Sequence, residues 1–250
     1  MLGILYVCHG SRDLAAIAEV QDFIASVMNE VDVSFQECCF LELAQPDIDQ
    51  GIAKLIEKGV TKIAVIPVLL LSAGHYYIDI PRKLEANKEK YPNISFAYGK
   101  PLGVQDRLID ILVDRINETG VPINHQAKIL LVGRGSTYPE TKVDIERLAK
   151  MLSEKIHFKN VNYCFLAACK PSFAEEFALS LKGNYSQVWV VPYLWFTGFL
   201  MNDLQKTIVT HKDVKKQIIL TKQLGSHPNI KEALKDRVYE TVQSLSFIRG

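Results

Sequence analysis

The segment ILYVCHGSR, residues 4–12, joins a short apolar run to a glycine turn, and a close copy, ILLVGRGST, occupies residues 129–137. An apolar run of this length that ends at a glycine turn is typical of a buried β-strand. In both copies a glycine and a hydroxyl residue separate the strand from a helical pattern. The copies differ chemically, because His9 in the first becomes Arg134 in the second. The segment therefore indicates a strand-turn-helix unit that was duplicated and then changed in one copy.

The repeat extends well beyond these two turns. Ile4 and Ile129 are 125 positions apart, and the same separation relates FLELAQP to FLAACKP, from residues 40 and 165, and IAVIP to VWVVP, from residues 63 and 188. Blocks that recur at a fixed separation are the signature of an internal repeat. We therefore predict a tandem duplication with a boundary in residues 117–126, which gives an N-terminal domain 1–120 and a C-terminal domain 127–250.

Within each half, apolar runs alternate with helical periods. In the first half the predicted strands lie near residues 3–8, 34–40, 62–69 and 94–98, and helical patterns occupy 12–31, 46–59, 77–91 and 103–120. Strands that are apolar on both faces and alternate with helices favour a parallel sheet with right-handed crossovers. The predicted fold is α/β, with two tandem doubly wound parallel-sheet domains that face each other across a cleft.

Composition excludes several classes of function. The chain has 250 residues, 48% of them hydrophobic, and its 29 basic and 28 acidic residues leave a net charge of +1. Such a balance gives no global field that would attract a nucleic acid or a membrane surface. The N-terminus has no secretory signal pattern, and the longest apolar stretch is too short to span a bilayer. Five cysteines without a C-x-x-C pair fit a reducing cytoplasm.

Three polar residues follow predicted strands of the first half, namely His9, Glu42 and His75. Ligands of open parallel sheets bind beyond the carboxyl ends of the strands, so we expect these side chains to meet at one edge. Two imidazoles and a carboxylate suit Fe²⁺, Co²⁺, Ni²⁺ or Zn²⁺. Neutral imidazole can also accept a proton near neutrality. The three residues are therefore candidates for both metal binding and catalysis.

The second half lacks all three candidate ligands. His9 corresponds to Arg134, Glu42 to Ala167, and His75 to Phe199 when one residue is gapped. Each residue alone has an ordinary explanation, such as a helix start for His75 or a solvated loop carboxylate for Glu42. Their joint loss from one copy of the scaffold indicates that they belong to a single site in the other copy.

Other residues near the strand ends suit an anionic, flat ligand. Backbone N–H groups at the two glycine turns, with a helix dipole behind them, favour an anion. Trp and Phe after a strand suit an apolar ring. These turns also resemble ordinary helix caps, and neither is a Walker A loop or a G-x-G-x-x-G motif. The candidate substrate-binding residues are Ser11, Arg12, Arg134, Ser136, Thr137, Trp195 and Phe199.

Together, HGSR after the first strand, FLELAQPDI and PVLLLSAGHYYIDIP resemble the motifs of the sirohydrochlorin chelatases, which are class II tetrapyrrole chelatases. The resemblance runs the whole length and includes the duplication. It implies insertion of a divalent metal ion into sirohydrochlorin, a flat macrocycle with many carboxylates. It also implies that His9 and His75 bind the metal and accept a proton, with Glu42 as their carboxylate partner.

The physical chemistry of these ligands does not choose the metal. The chain has neither the His-rich tail nor the cysteine cluster of some long cobalt chelatases, so it is most similar to the ferrochelatase that completes sirohaem. We therefore expect a cytoplasmic monomer that takes Fe²⁺ as a substrate and holds no permanent cofactor. The alternatives are insertion of cobalt or nickel, a non-catalytic tetrapyrrole or metal carrier, and a hydrolase or phosphotransfer enzyme using His9 or Cys8.

Overall fold

The computed structural model describes residues 1–211 and 216–246. Strands and helices alternate through both halves. The strands are β1 Leu2–Cys8, β2 Phe35–Phe40, β3 Lys62–Pro67, β4 Ser95–Tyr98, β5 Ala127–Gly133, β6 Val161–Phe165, β7 Gln187–Tyr193 and β8 Gln217–Leu220. The helices are α1 Leu14–Met28, α2 Ile48–Glu57, α3 Ile80–Lys90, α4 Asp106–Asn117, α5 Pro139–Lys155, α6 Phe173–Lys182, α7 Phe199–Val209 and α8 Pro228–Ser246. A π-helical turn, His75–Asp79, precedes α3.

The strands form two four-stranded parallel sheets with the same topology. Their orders are β2-β1-β3-β4 and β6-β5-β7-β8. In the first sheet Tyr6 of β1 pairs with Cys38 of β2 and with Ile66 of β3. In each sheet the strand that comes first in sequence, β1 or β5, lies between the second and third strands of that sheet. The predicted fold of two tandem parallel-sheet domains is confirmed.

The central strands are buried because helices cover both faces of each sheet. In β1 every residue from Ile4 to Val7 is fully buried. Helix α2 starts from a defined cap, because Asp47 and Gln50 form a capping box there. Ser172 and Glu175 form the same box at α6. Both cores thus have the near-continuous apolar strands expected of parallel sheets.

The compact units differ from the boundaries 1–120 and 127–250. Unit 1 contains Met1–Gly103 and the chain from Lys231 onward, and unit 2 contains Val104–Ile230. Helix α4 therefore packs with the second sheet, although its sequence belongs to the first repeat. Most of α8 packs with the first. The boundary between the repeats lies in the linker. The compact units differ from the repeats because the last helix of each repeat buries its apolar face against the sheet of the other repeat.

Helices α4 and α8 each pack with the sheet of the other repeat, and an arginine on each helix makes the same kind of hydrogen bond there. Arg115 of α4 donates from Nε and Nη2 to the carbonyl oxygens of Gln223 and Leu224 at 2.9 and 2.7 Å. Arg237 of α8 donates to those of Pro101 and Leu102, both at 2.8 Å. The acceptors lie in the corresponding blocks TKQLG and GKPLG. The exchange of the last helix is therefore part of the repeated design.

Among residues 1–211 and 216–246, no helix has both the length and the apolar content required to cross a bilayer.

Candidate functional site

Three adjacent strands of the first sheet carry the candidate ligands at their carboxyl ends. His9 follows β1, Glu42 follows β2, and His75 begins the π-helical turn after β3. One ligand atom from each of these three side chains lies within 4.8 Å of the others. All three residues belong to unit 1. Sheet order β2-β1-β3 explains how residues more than sixty positions apart in sequence come together.

The spacing of these atoms suits one divalent ion. His9 Nε2 lies 3.6 Å from Glu42 Oε1, which is too long for a hydrogen bond. A transition metal binds imidazole nitrogen and carboxylate oxygen at about 2.0–2.2 Å, so two of its ligand atoms can be roughly 3–4 Å apart. The His9 and His75 rings meet edge to face, with centroids 4.6 Å apart and planes at 87°. The most widely separated ligand atoms, which lie within 4.8 Å of each other, need to close by roughly 1 Å around an ion.

The backbone places His9 and Glu42 side by side. The N–H of Glu42 donates to the carbonyl oxygen of His9 at 3.1 Å, and Leu41 N–H donates to that of Cys8 at 2.8 Å. Gly10 has φ +97°, and a Cβ on it would stand 1.8 Å from the Glu42 carbonyl oxygen. Only glycine permits both this conformation and this close approach. The glycine of the HGSR motif thus determines the distance between two candidate ligands.

The second half repeats this backbone around different side chains. Ala167 N–H donates to the carbonyl oxygen of Arg134 at 2.9 Å. Gly135 has φ +90°, and its Cβ would stand 1.9 Å from the Ala167 carbonyl oxygen. Within residues 1–211 and 216–246, His9, Glu42 and His75 are the group of three or more His, Cys, Asp or Glu side chains that converges as a metal site would. The duplication therefore kept the turn and lost the ligand chemistry.

The imidazole of His75 has a carboxylate partner that the sequence analysis missed. Its Nδ1 lies 2.7 Å from Asp79 Oδ2, across the π-helical turn. The i,i+4 spacing of His and Asp in HYYID was the available signal. His9 Nδ1 lies 3.1 Å from the carbonyl oxygen of Gly10. Each histidine thus has an oxygen acceptor for Nδ1–H, and in that tautomer the lone pair that can bind a metal ion is on Nε2.

The chemistry of Cys8 argues against a cysteine nucleophile. Its side chain is buried, and its Sγ lies 3.9 Å from Cys38 Sγ. Burial and the neighbouring Cys38 thiol raise the pKa of Cys8 well above its usual value. Because a thiolate is the reactive form, a buried thiol with a raised pKa is a poor nucleophile. The alternative of a hydrolase that uses Cys8 is therefore disfavoured.

The hydroxyls of the two glycine turns already serve the local backbone. Ser11 Oγ accepts from Asp13 N–H at 3.0 Å, and Ser136 Oγ accepts from Tyr138 N–H at 3.1 Å. These contacts are those of ordinary side-chain-to-backbone turns. Arg12, Arg134 and Thr137 are exposed. Of these candidate residues, the exposed arginines are the best suited to bind an anionic ligand.

The candidate aromatic contacts of unit 2 differ in exposure. Phe199, the first residue of α7, is 79% exposed. Trp195 is only 7% exposed, and its ring stacks on Phe196 with centroids 5.3 Å apart. A cavity of about 300 Å³ is lined by residues 165–170 and Ser172, the loop that corresponds to the Glu42 loop. Phe199 therefore offers an apolar surface to a ligand, whereas Trp195 contributes to packing.

Comparisons with known proteins agree with this arrangement. The family model CbiX matches residues 3–119 and 128–241. The sirohydrochlorin ferrochelatase of Priestia megaterium is 43% identical over 244 residues, which cover 98% of this chain and 92% of the relative. The sirohydrochlorin cobaltochelatase of that organism is 34% identical, with 97% of this chain and 81% of the relative covered.

A solved structure extends the agreement to three dimensions. SirB from Bacillus subtilis with Fe³⁺ superposes with a TM-score of 0.89 at 36% identity, covering 99% of this chain and 98% of that one. The resemblance of the sequence motifs to the chelatases is thereby confirmed. Since the family model matches both halves and the relatives align over nearly the whole length, the chain belongs to the CbiX family of sirohydrochlorin chelatases.

Proposed function

We propose that this protein inserts ferrous iron into sirohydrochlorin to form sirohaem. The observation that carries the proposal is the convergence of His9, Glu42 and His75 at the end of one sheet. Two nitrogens and one carboxylate oxygen form an open site rather than a closed tetrahedral one. An open site suits an ion that is a substrate and has to leave, and we propose that the protein holds no permanently bound metal or other cofactor.

The reaction breaks two pyrrole N–H bonds and forms bonds from the macrocycle nitrogens to Fe²⁺, so two protons are released for each ion. In this proposal His9, Glu42 and His75 hold the ion and deliver it to the macrocycle. As the ion leaves, a neutral imidazole of the same pair accepts one pyrrole proton, which is general base catalysis, and the second proton passes to solvent. The half-exposed side chain of Glu42 lies beside His9 and balances the charge of the ion.

The macrocycle needs contacts for its carboxylates and its flat face. We assign carboxylate binding to Arg12 and Arg134, because guanidinium pairs with carboxylate in bidentate fashion and stays charged at every working pH. The hydroxyl oxygens of Ser11 and Ser136 already accept hydrogen bonds from backbone N–H groups. We therefore assign these two serines a smaller part in binding the macrocycle. We assign apolar contact with the ring to the exposed Phe199, whereas the buried Trp195 stacks on Phe196.

The duplication and the cysteine content also bear on the oligomeric state and the cellular compartment of the protein. We propose a monomer, because the duplication already provides two sheet units in one chain. We also propose the cytoplasm as its compartment. The sequence has five cysteines and no C-x-x-C pair, which suits a reducing compartment.

The test is metal insertion under anaerobic conditions. Purified protein is incubated with sirohydrochlorin and, in separate reactions, Fe²⁺, Co²⁺ or Ni²⁺, while the absorbance spectrum is followed. We expect multiple turnovers with Fe²⁺ and none in a His9→Ala/His75→Ala double variant. Faster turnover with Co²⁺ at equal concentration would favour the cobalt alternative. Tight binding of sirohydrochlorin without turnover for any metal would indicate a carrier and contradict the proposal.

A further inference from the structure

We infer that Asp79 is a positioning residue, which orients the His75 imidazole for the ion; this rests on the proposed metal site. Asp79 Oδ2 lies 2.7 Å from His75 Nδ1, a short distance typical of a charge-assisted hydrogen bond. A carboxylate accepts only, so the ring proton resides on Nδ1. That tautomer leaves the lone pair on Nε2, which is the nitrogen available to the ion.

The π-helical turn brings these two residues together. Ile80 N–H donates to the carbonyl oxygen of His75, which is the i→i+5 bond of a π-turn. Residues four apart then stand on one face of the turn. The turn is also held in place, because Tyr98 OH donates to the carbonyl oxygen of Tyr76 at 3.0 Å and the two rings stack. Such turns are rare and are concentrated at functional sites.

The two histidines obtain their orientation by different means. Nδ1 of His9 faces the carbonyl oxygen of Gly10, and this backbone is fixed by the glycine turn. His75 stands at the start of a helical turn, where the side chain has no comparable backbone acceptor among the hydrogen bonds of the described residues. Asp79 takes the place of that carbonyl. Such outer partners typically change metal affinity by about 10–100-fold when they are removed.

A contribution to fold stability is a weak explanation for this pair. The Asp79 side chain is 49% exposed, and that of His75 is 25% exposed. An exposed i,i+4 ion pair on a helix contributes little to the stability of the fold. We therefore expect the His75–Asp79 pair to affect the orientation of the imidazole more than the free energy of unfolding.

The chain provides its own control for an acid at this position. With Gly74 aligned to Gly198, His75 corresponds to Phe199 and Asp79 to Asp203. Asp203 is thus an acid at the same place in the repeat, four residues after a phenylalanine that cannot bind metal. If the acid served only the helix, Asp79 and Asp203 would respond alike to substitution. If Asp79 serves His75, only its loss affects metal binding.

The experiment compares Asp79→Ala, Asp79→Asn and Asp203→Ala, with Co²⁺ alone as the probe and no tetrapyrrole. Affinity is measured by calorimetry, and geometry by the visible d–d spectrum of the bound ion. We expect Asp79→Ala to weaken Co²⁺ binding by about 10–100-fold and to change the spectrum. Asp79→Asn should recover part of the affinity, because the amide oxygen can still accept from Nδ1–H. Asp203→Ala should match the unchanged protein, and all three should keep its thermal midpoint within a few degrees.

A His75→Ala variant separates this inference from the proposed function. If His75→Ala loses Co²⁺ binding while Asp79→Ala retains it within twofold and with an unchanged spectrum, the role of Asp79 is overturned and the site stands. If His75→Ala binds Co²⁺ normally, the metal site itself is misassigned. An equal loss of affinity in Asp79→Ala and Asp203→Ala would also overturn the inference, because it would reflect the helices alone.

Discussion

The N–H of Glu42 donates to the carbonyl oxygen of His9 at 3.1 Å, so the backbone holds two candidate metal ligands next to each other. The corresponding bond in the second unit joins Ala167 to Arg134 at 2.9 Å. One backbone arrangement therefore supports two kinds of chemistry. A histidine and a glutamate on it suit a metal ion, whereas an arginine on it suits a carboxylate. We therefore expect the first copy of the turn to serve a metal ion and the second to serve a carboxylate.

Gly10 and Gly135 should respond differently to the same substitution. In each, an added Cβ meets a carbonyl oxygen at less than 2 Å and the residue has positive φ, so alanine forces the backbone to shift. Strain of this kind costs about 1–3 kcal/mol, and we expect a similar loss of unfolding free energy in Gly10→Ala and Gly135→Ala. Only Gly10→Ala displaces Glu42 from His9, so only this variant should lose Co²⁺ binding, measured by calorimetry on the folded protein. Equal Co²⁺ affinity in the two variants would contradict the account.

Removal of either histidine should abolish insertion and leave the fold intact. The His9 and His75 side chains are partly exposed and contribute little to the apolar cores, so alanine at either position should change the thermal midpoint only slightly. We expect the rate of iron insertion to fall by about 100-fold or more. His227→Ala is the matched control, because His227 belongs to unit 2, where its Nε2 lies 3.2 Å from Asp114 Oδ2. Wild-type rates in both His9→Ala and His75→Ala would refute the site assignment.

Arg134→Ala should weaken binding of the macrocycle without slowing the chemical step. A hydrogen bond to a charged group contributes about 1.5–3 kcal/mol, so we expect the KM for sirohydrochlorin to rise about tenfold or more. The KM for the metal and kcat should stay close to their original values. Steady-state kinetics with each substrate varied in turn measures this. A fall in kcat with an unchanged KM for sirohydrochlorin would place Arg134 in the chemical step instead.

Much of the site was predictable because it follows from sheet topology. His9, Glu42 and His75 follow three apolar runs, and parallel strands bring their carboxyl ends to one edge. The contact between His75 and Asp79 was not predictable, because it depends on a π-turn that hydrophobic periodicity does not reveal. The buried position of Trp195 also escaped prediction, since an aromatic residue after a strand can pack inward or face solvent with the same pattern.

The domain boundaries show another limit of sequence reasoning. Repeats locate the end of each copy, but they do not reveal which sheet the last helix covers. Helices α4 and α8 are amphipathic and fit either sheet by pattern alone. The exchange depends on contacts such as those of Arg115 with Gln223, which are distant in sequence.

A stability prediction concerns the carboxylate of Glu175 at the start of α6. The Lys170 ammonium and the Ser172 contacts lower its pKa from 4.5 to about 2. A lowered folded-state pKa stabilises the fold above the unfolded pKa, and this contribution is lost as pH falls towards 2. Glu175→Gln should therefore be slightly less stable than the unchanged protein at pH 7 and equal to it near pH 2. Urea unfolding across this pH range measures the difference in unfolding free energy between the two proteins. In a Lys170→Gln background this difference should be smaller. A difference that does not change with pH would contradict the prediction.

The central claim is that one ion binds in the first unit and none in the second. Its most direct measurement is anomalous scattering at the cobalt edge from crystals soaked in Co²⁺. We expect one peak within bonding distance of His9, Glu42 and His75, with Asp79 still in contact with the His75 ring. We expect no peak beside Arg134, Ala167 and Phe199. A metal held only by second-unit residues, or a lone ion on His211 or His227 with the first site empty, would contradict it.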